Sequence, residues 1–315
     1  MRTNGVFFMA LAVVGSVLQA QSGDQTFSLT VLGAPASGIV WQLAPRAVAP
    51  GAQLECSVQG ERVDAQYIPS AHHHGWFAAR LSTALVARSQ DAALPLDFVV
   101  RPATPAPPQP QTEVVLRMPA YTLTMRTDRQ GGFPSQILFP SGRALNNISW
   151  EDRVFDNDKS DDNASFSDVW QLSWDPAPTL AVVADGPICT VVSHRAHFSR
   201  PDGTRPPNEP SAQYQWVFFK DDAGLILAEA HYEQAQPHAW KELHFLDWHI
   251  DDGALPDWYG CNQGALDKVA TGKVAEKKII SIFNAWAALA DQKDFIAVHA
   301  GDTRLYADYP GKSIY

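Results

Sequence analysis

The side chains best able to do chemistry concentrate in two neighbouring stretches, LILAEAHYEQ and WKELHFLDWHI. Read as strands, each sends alternate side chains to opposite faces. In the first, Glu229, His231 and Glu233 share one face, with Ile226, Ala228, Ala230 and Tyr232 opposite. In the second, Trp240, Glu242, His244 and Trp248 share a face, and Lys241, Leu243, Phe245 and Asp247 take the other. A short turn at Gln236, Pro237 and His238 would let the two strands pair antiparallel, gathering carboxylates, imidazoles and indoles on one sheet face. Sugars call for that mixture: indole faces stack on pyranose C–H groups, and carboxylates and imidazoles bond hydroxyls. The expected sugar-binding residues here are Glu229, Trp240 and Trp248. The candidates for acid–base catalysis are His231, Glu233, Glu242 and His244. The competing reading is a solvated sheet face with the two indoles tucked into the core.

Other constellations are more local. Trp258 and Tyr259 follow the loop-like DDGALPD and form either a second sugar platform or a plug for the sheet. In DNDKSDDN, Asp156, Asp158 and Ser160 have the spacing that begins a calcium loop. Asp161 and Ser167 stand where an EF-hand needs Gly and Glu, so the alternatives are a calcium site of another kind and an ordinary acidic loop. His72, His73 and His74 are consecutive, and on a strand they would alternate faces rather than chelate one ion. Cys56, Cys189 and Cys261 form no CxxC and allow at most one disulfide. The chain has no GxSxG, Walker loop, HExxH or GxGxxG.

These residues sit in a chain of 315 residues that is 45% hydrophobic and 18% charged, a balance that excludes global disorder. Its 23 prolines outnumber its 20 glycines, which favours strands and turns over long helices. The formal net charge of -10 argues against a nucleic-acid partner. Arg2, the apolar run VFFMALAVV and the small residues ending at Ala20 have the layout of a signal peptide over residues 1–20. That run is too short to span a bilayer, and no membrane span is expected elsewhere. The chain is therefore expected to be secreted or periplasmic.

The elements that must position these residues read as an all-β chain. Residues 24–101 hold the runs TFSLTVLG, GIVWQLAP, LECSVQGERVDAQYI, GWFAARLS and LPLDFVV, which suggest a small N-terminal β-sandwich, immunoglobulin-like in its short strands but lacking the Cys-Trp-Cys pattern. Residues 102–112, PATPAPPQPQT, read as a stiff proline-rich linker. Residues 113–315 form a larger antiparallel block, in which GALDKVATGKVAEKKIISIF admits either a helix or a hairpin.

This larger block resembles the galactose mutarotase-like β-supersandwich. The resemblance is carried by YTLTMRTDRQGGFPSQILFPSGRAL, by the turn and strand DGPICTVVSHRAHFS from Asp185, and by AQYQWVFFKDDAGLILAEAHYEQ with WKELHFLDWHI. That fold serves as the carbohydrate-binding domain of sugar epimerases, polysaccharide lyases and many glycoside hydrolases. The resemblance implies a polysaccharide or oligosaccharide partner, and the GKSIY ending would make the chain part of a longer protein. Three functions stand side by side: a secreted carbohydrate-binding module, a carbohydrate-active enzyme (lyase, glycosidase or epimerase) on the same scaffold, and a structural or adhesive surface protein. No cofactor is expected other than the calcium considered above.

Overall fold

A computed structural model describes residues 25–45, 48, 52–70, 74–101, 107–155, 169–238, 240, 242–244, 247–250, 253–262, 269–276 and 282–299. The protein is all-β: the described residues are 56% strand and 8% helix, and their sheets are antiparallel. It divides into two compact units, one drawn from Met1–Ser135 and Trp150–Asp247, the other from Gln136–Ser149 and Trp248–Tyr315.

The N-terminal part of the first unit contains β1 (Gln25–Val31), β2 (Ile39–Leu43), β3 (Gln53–Val58), β4 (Glu61–Ile68), β5 (Trp76–Arg80), α1 (Thr83–Asp91) and β6 (Leu94–Arg101). These strands form one sheet in the order β1-β6-β3-β4-β5-β2. On a flat sheet β1 and β5 would lie about 19 Å apart, four strand spacings. Their rings Phe27 and Phe77 are instead 5.3 Å apart, so the sheet curls round a core that also holds Leu29, Val58, Leu96 and Phe98. The small β domain thus closes its sandwich-like core by the curl of a half-barrel, with β4 pairing β3 at one end and β5 at the other. LECSVQGERVDAQYI is not a single strand. Gln59 and Gly60 both have positive φ (52° and 85°), the backbone of a tight hairpin turn, and split it into β3 and β4. Helix α1 carries no long apolar stripe and was not legible as a helix; its start is fixed by the Ser82 hydroxyl, which accepts from the Leu85 N–H, and it buries Leu85 and Ser89.

The chain continues through β7 (Pro110–Gln111), β8 (Glu113–Met118), β9 (Tyr121–Arg126), β10 (Pro134–Leu138), β11 (Ala144–Leu145), β12 (Ile148–Trp150), β13 (Arg153–Phe155) and β14 (Val169–Gln171). Four longer strands follow or frame these: β15 (Thr179–Asp185), β16 (Cys189–His197), β17 (Ser211–Phe219) and β18 (Ile226–Glu233). They form a sheet in the order β18-β17-β16-β15-β7, in which Gln111 from the proline-rich segment pairs with Leu180. Two short strands, β19 (Glu242–Leu243) and β20 (Trp248–Ile250), come next.

Strands β16 and β17 bury both faces, which is why AQYQWVFF reads as nearly continuous apolar sequence. On one face Val191, Val217, Cys189 and Phe219 pack on Ile39, Ile68 and Ala78 of the curled sheet. Gln66 closes this contact: its Nε2 donates to the Cys189 carbonyl at 2.9 Å, and its Oε1 accepts the N–H groups of Ile188 (3.1 Å) and Cys189 (2.9 Å). Arg80 adds a bond to the Lys220 carbonyl at 2.7 Å. On the other face Phe133 stacks on Trp150 at 4.9 Å and meets His194, Tyr214 and Trp216 edge-on. His194 is fully buried there, and its Nε2–H donates to the Gly131 carbonyl at 2.7 Å. A Cβ at Gly131 would come within 2.1 Å of the Leu172 carbonyl oxygen, so this approach requires glycine.

The second unit holds β21 (Asp257–Asn262), β22 (Val269–Lys273), β23 (Ile282–Ala290) and β24 (Phe295–His299), ordered β22-β21-β23-β24. Of the undecided segment GALDKVATGKVAEKKIISIF, the described residues supply β22, a turn of 3-10 helix at Val274–Glu276 and the start of β23; β22 and β23 lie on either side of β21. Arg143, in the β10–β11 turn, bonds Asp291, the Ala254 carbonyl and Asp294, the last at 3.3 Å. The GRAL segment thus places its arginine in an ion-pair network that holds turns together.

Two outcomes follow from this packing. Gln66→Ala strands two buried N–H groups and a carbonyl, each costing about 1–3 kcal/mol. It is expected to lower stability by about 3 kcal/mol, read as an earlier urea midpoint with the slope unchanged. Burial of His194 holds its pKa down to about 4, from an ordinary 6.5, partly offset by the Gly131 carbonyl and the Asp175 charge. Between those values the unfolded chain binds a proton that the folded chain refuses. The contribution is complete above the ordinary pKa and is lost as pH falls toward the depressed one, by about 3 kcal/mol. Urea unfolding across that interval should show the loss, and His194→Gln should flatten it.

Candidate functional site

The first of the two chemistry-bearing stretches is β18, the edge of its sheet, with the alternation the sequence implies. Glu229, His231 and Glu233 lie opposite Gln215, Gln213 and Ser211 of β17. The Glu229 carboxylate accepts from the Ser70 hydroxyl at 2.9 Å, at the rim of the curled sheet. His231 Nε2 lies 3.4 Å from Glu233, whose other oxygen is 3.4 Å from Arg195. The side chains of His231, Arg195 and Glu233 are about half exposed, so these pairs contribute little to stability. Among the described residues, this face carries polar groups and no indole.

The second stretch does not pair with β18. It breaks into β19, which pairs with β13 (Val154↔Leu243, Phe155↔Glu242), and β20. The expected gathering of these side chains on one sheet face is thereby overturned. Trp240 lies on the opposite side of β18, because its Nε1–H donates to the Tyr232 hydroxyl at 2.6 Å, and Tyr232 alternates with His231. Its neighbours are Trp170 at 5.9 Å, in edge contact, and His238 at 4.4 Å. The Arg200 guanidinium sits 4.5 Å over the Trp170 ring. Gln234 also accepts from Trp240 Nε1 at 3.1 Å, so the indole is held at a fixed angle. Burial holds the Tyr232 phenol above its ordinary pKa, while the bond from Trp240 works against that shift. Both indoles remain half-buried, with His238 exposed beside them.

His244 and Asp247 lie on opposite faces if residues 240–250 run as one strand. Strand β19 ends at Leu243 instead, and His244 Nδ1 meets Asp247 Oδ2 at 2.9 Å. Both residues are pinned from behind. The Asp247 N–H donates to the fully buried Asp152 at 3.0 Å, the Glu151 N–H to the Asp247 carbonyl at 2.7 Å, and the His244 N–H to the Arg153 carbonyl at 2.8 Å. The Tyr214 hydroxyl donates to the other oxygen of Asp152.

The remaining expected residues are dispersed. Glu242 lies in β19 opposite Phe155, and Trp248 begins β20; the side chains of both lie outside what is described. Trp258 and Tyr259 are not in a loop but are adjacent in β21, facing opposite ways, so they cannot form one platform. The Trp258 indole lies over Gly272, where a Cβ would come within 2.6 Å of its Nε1. Asp156, Asp158 and Ser160 lie outside the described residues, as do His72 and His73. Among the described residues no three His, Cys, Asp or Glu side chains stand together to hold a metal ion. Cys56 and Cys189 are buried free thiols, each pushed up to about 12 chiefly by burial. A shallow groove of about 270 Å³ runs beside the Lys220–Asp185 ion pair, but its lining has one carboxylate and no aromatic ring. No helix among the described residues is long and apolar enough to cross a membrane.

Trp170, Arg200, Asp152 and Tyr214 were not singled out by the sequence. Their partners in these contacts lie 30 or more positions away. Compared with known proteins, the chain matches no family model and no curated protein.

Proposed function

We propose that this is an exported carbohydrate-binding β protein that takes part in polysaccharide recognition. The observation that carries the reading is the pair of half-buried indoles in edge contact, Trp170 of β14 and Trp240 beside β18, with Trp240 oriented by Tyr232 and Gln234. A fixed, partly exposed indole offers an apolar face to a sugar ring at little entropic cost, and the exposed His238 beside it supplies a polar group for hydroxyls. The signal-like residues 1–20 and the resemblance to the galactose mutarotase-like supersandwich point the same way. The polar face of Glu229, His231 and Glu233 belongs to the opposite side of β18 and is assigned no part in this platform.

Affinity electrophoresis in gels containing neutral or acidic polysaccharides, followed by calorimetry on any that retard the protein, tests the reading. Trp240→Ala should weaken binding about ten- to a hundredfold, and Trp240→Phe by less. Trp258→Ala should bind as the parent does. Retardation by no polysaccharide removes the carbohydrate reading; unchanged affinity in a folded Trp240→Ala variant removes the platform.

A further inference from the structure

The turn between β19 and β20 carries an arrangement that binding alone does not need. We propose that His244 is a proton-transfer group, oriented by Asp247, with Asp152 as the positioning residue that fixes Asp247 against Tyr214. The chemistry follows from the bond directions. A neutral imidazole has one N–H and one lone pair, and a carboxylate at 2.9 Å from Nδ1 selects the tautomer protonated there. The lone pair is then on Nε2, and the Asp247 charge stabilises the imidazolium that forms when Nε2 takes a proton. In that step an O–H bond of a hydroxyl or a water molecule breaks, an N–H bond forms at Nε2, and the positive charge is held beside Asp247. Return of the proton to a departing oxygen restores the starting state.

Three features distinguish this pair from the other His–carboxylate contacts. The turn is pinned by three backbone bonds, from Glu151, to Arg153 and to Asp152, so the imidazole and carboxylate keep their geometry without substrate. Asp152 is fully buried and accepts from Tyr214, which ties the turn to the aromatic core. The His244 and Asp247 side chains are nevertheless 29% and 31% exposed, so reagents can reach them. By contrast, the His231 and Glu233 side chains are about half exposed on the edge strand, and in the Asp175–His197 pair Asp175 is buried and engaged by backbone N–H groups and Arg205. The site lies near the platform: Leu243 pairs with Val154, and Val154 with Trp170, so two strand spacings, about 10 Å, separate the backbones of Leu243 and Trp170. The substrate class, a hydroxyl-rich glycan, rests on the carbohydrate reading; the proton-transfer role does not.

The test uses the full chain. Nitrogen-15 NMR of the imidazoles should show His244 in the Nδ1–H tautomer at a pH where it is neutral, and D247N should shift the balance toward the tautomer protonated at Nε2. Diethyl pyrocarbonate, followed by peptide mass spectrometry, should acylate His244 on the timescale of the exposed His238; D247N should slow that reaction several-fold, and D247E should restore part of it. The tautomer and the acylation of the parent need no variant, so a D247N that fails to fold leaves both decisive. A His244 that is in the Nε2–H form, or inert while His238 reacts, is a structural brace and overturns the proposal. Any polysaccharide retained by the protein is then incubated with it and new reducing ends are counted. H244Q should bind that polysaccharide as the parent does and lose about a hundredfold or more of the turnover. Equal turnover by H244Q, or none by the parent, overturns the assignment. Failure to retain any polysaccharide removes the carbohydrate reading alone, because the tautomer and acylation results stand without it.

Discussion

The structure depends on β16 and β17 being buried on both faces. A strand in that position needs apolar side chains on either side and cannot expose its peptide groups, so every flanking layer must both cover it and satisfy the backbone that leaves it. The curled N-terminal sheet does the first with Ile39, Ile68 and Ala78. It does the second with Gln66, whose single amide meets three peptide groups at the entry to β16. The proline-rich segment ends in a strand that joins the same sheet, so the parts on its two sides share a buried boundary.

The opposite layer is aromatic rather than aliphatic. Phe133 is set among Trp150, His194, Tyr214 and Trp216 in stacked and edge-on contacts, which bury large rings while keeping their quadrupoles in favourable orientations. The Trp150 indole N–H donates to the Pro134 carbonyl at 2.7 Å. Tyr214 reaches Asp152, and Asp152 reaches the backbone of Asp247. A buried carboxylate must be met by donors, and meeting them here fixes the turn that holds His244. Core packing and the candidate chemistry are thus consecutive links of one hydrogen-bond chain.

The two sides of β18 divide the labour differently from the pattern of residue types. One side carries carboxylates and an imidazole beside the rim of the curled sheet; the other carries Tyr232 and, through it, the indole of Trp240. Charged groups on an exposed edge strand remain solvated and lightly paired. An indole fixed by two hydrogen bonds is a more restrictive feature, because its orientation survives without a ligand.

The sequence by itself determined the all-β class, the long strands from Thr179 to Glu233, and the alternation that puts Glu229, His231 and Glu233 together, since period two and turn residues act over a few neighbouring positions. It also exposed the chemistry-bearing residue types, Trp240 and His244 among them. Tertiary structure decided the rest. Whether Trp240 joins His231 depends on whether the following strand pairs with β18 or with β13, and whether His244 meets Asp247 depends on β19 ending at Leu243. Both follow from contacts with distant residues, β13 and the buried Asp152, that no local pattern encodes. The curl of the N-terminal sheet has the same origin: alternation marks an inner face, but only closure round Phe27, Phe77 and Phe98 makes one wrapped layer of it, because burying that face against itself removes more apolar surface from water than leaving it flat.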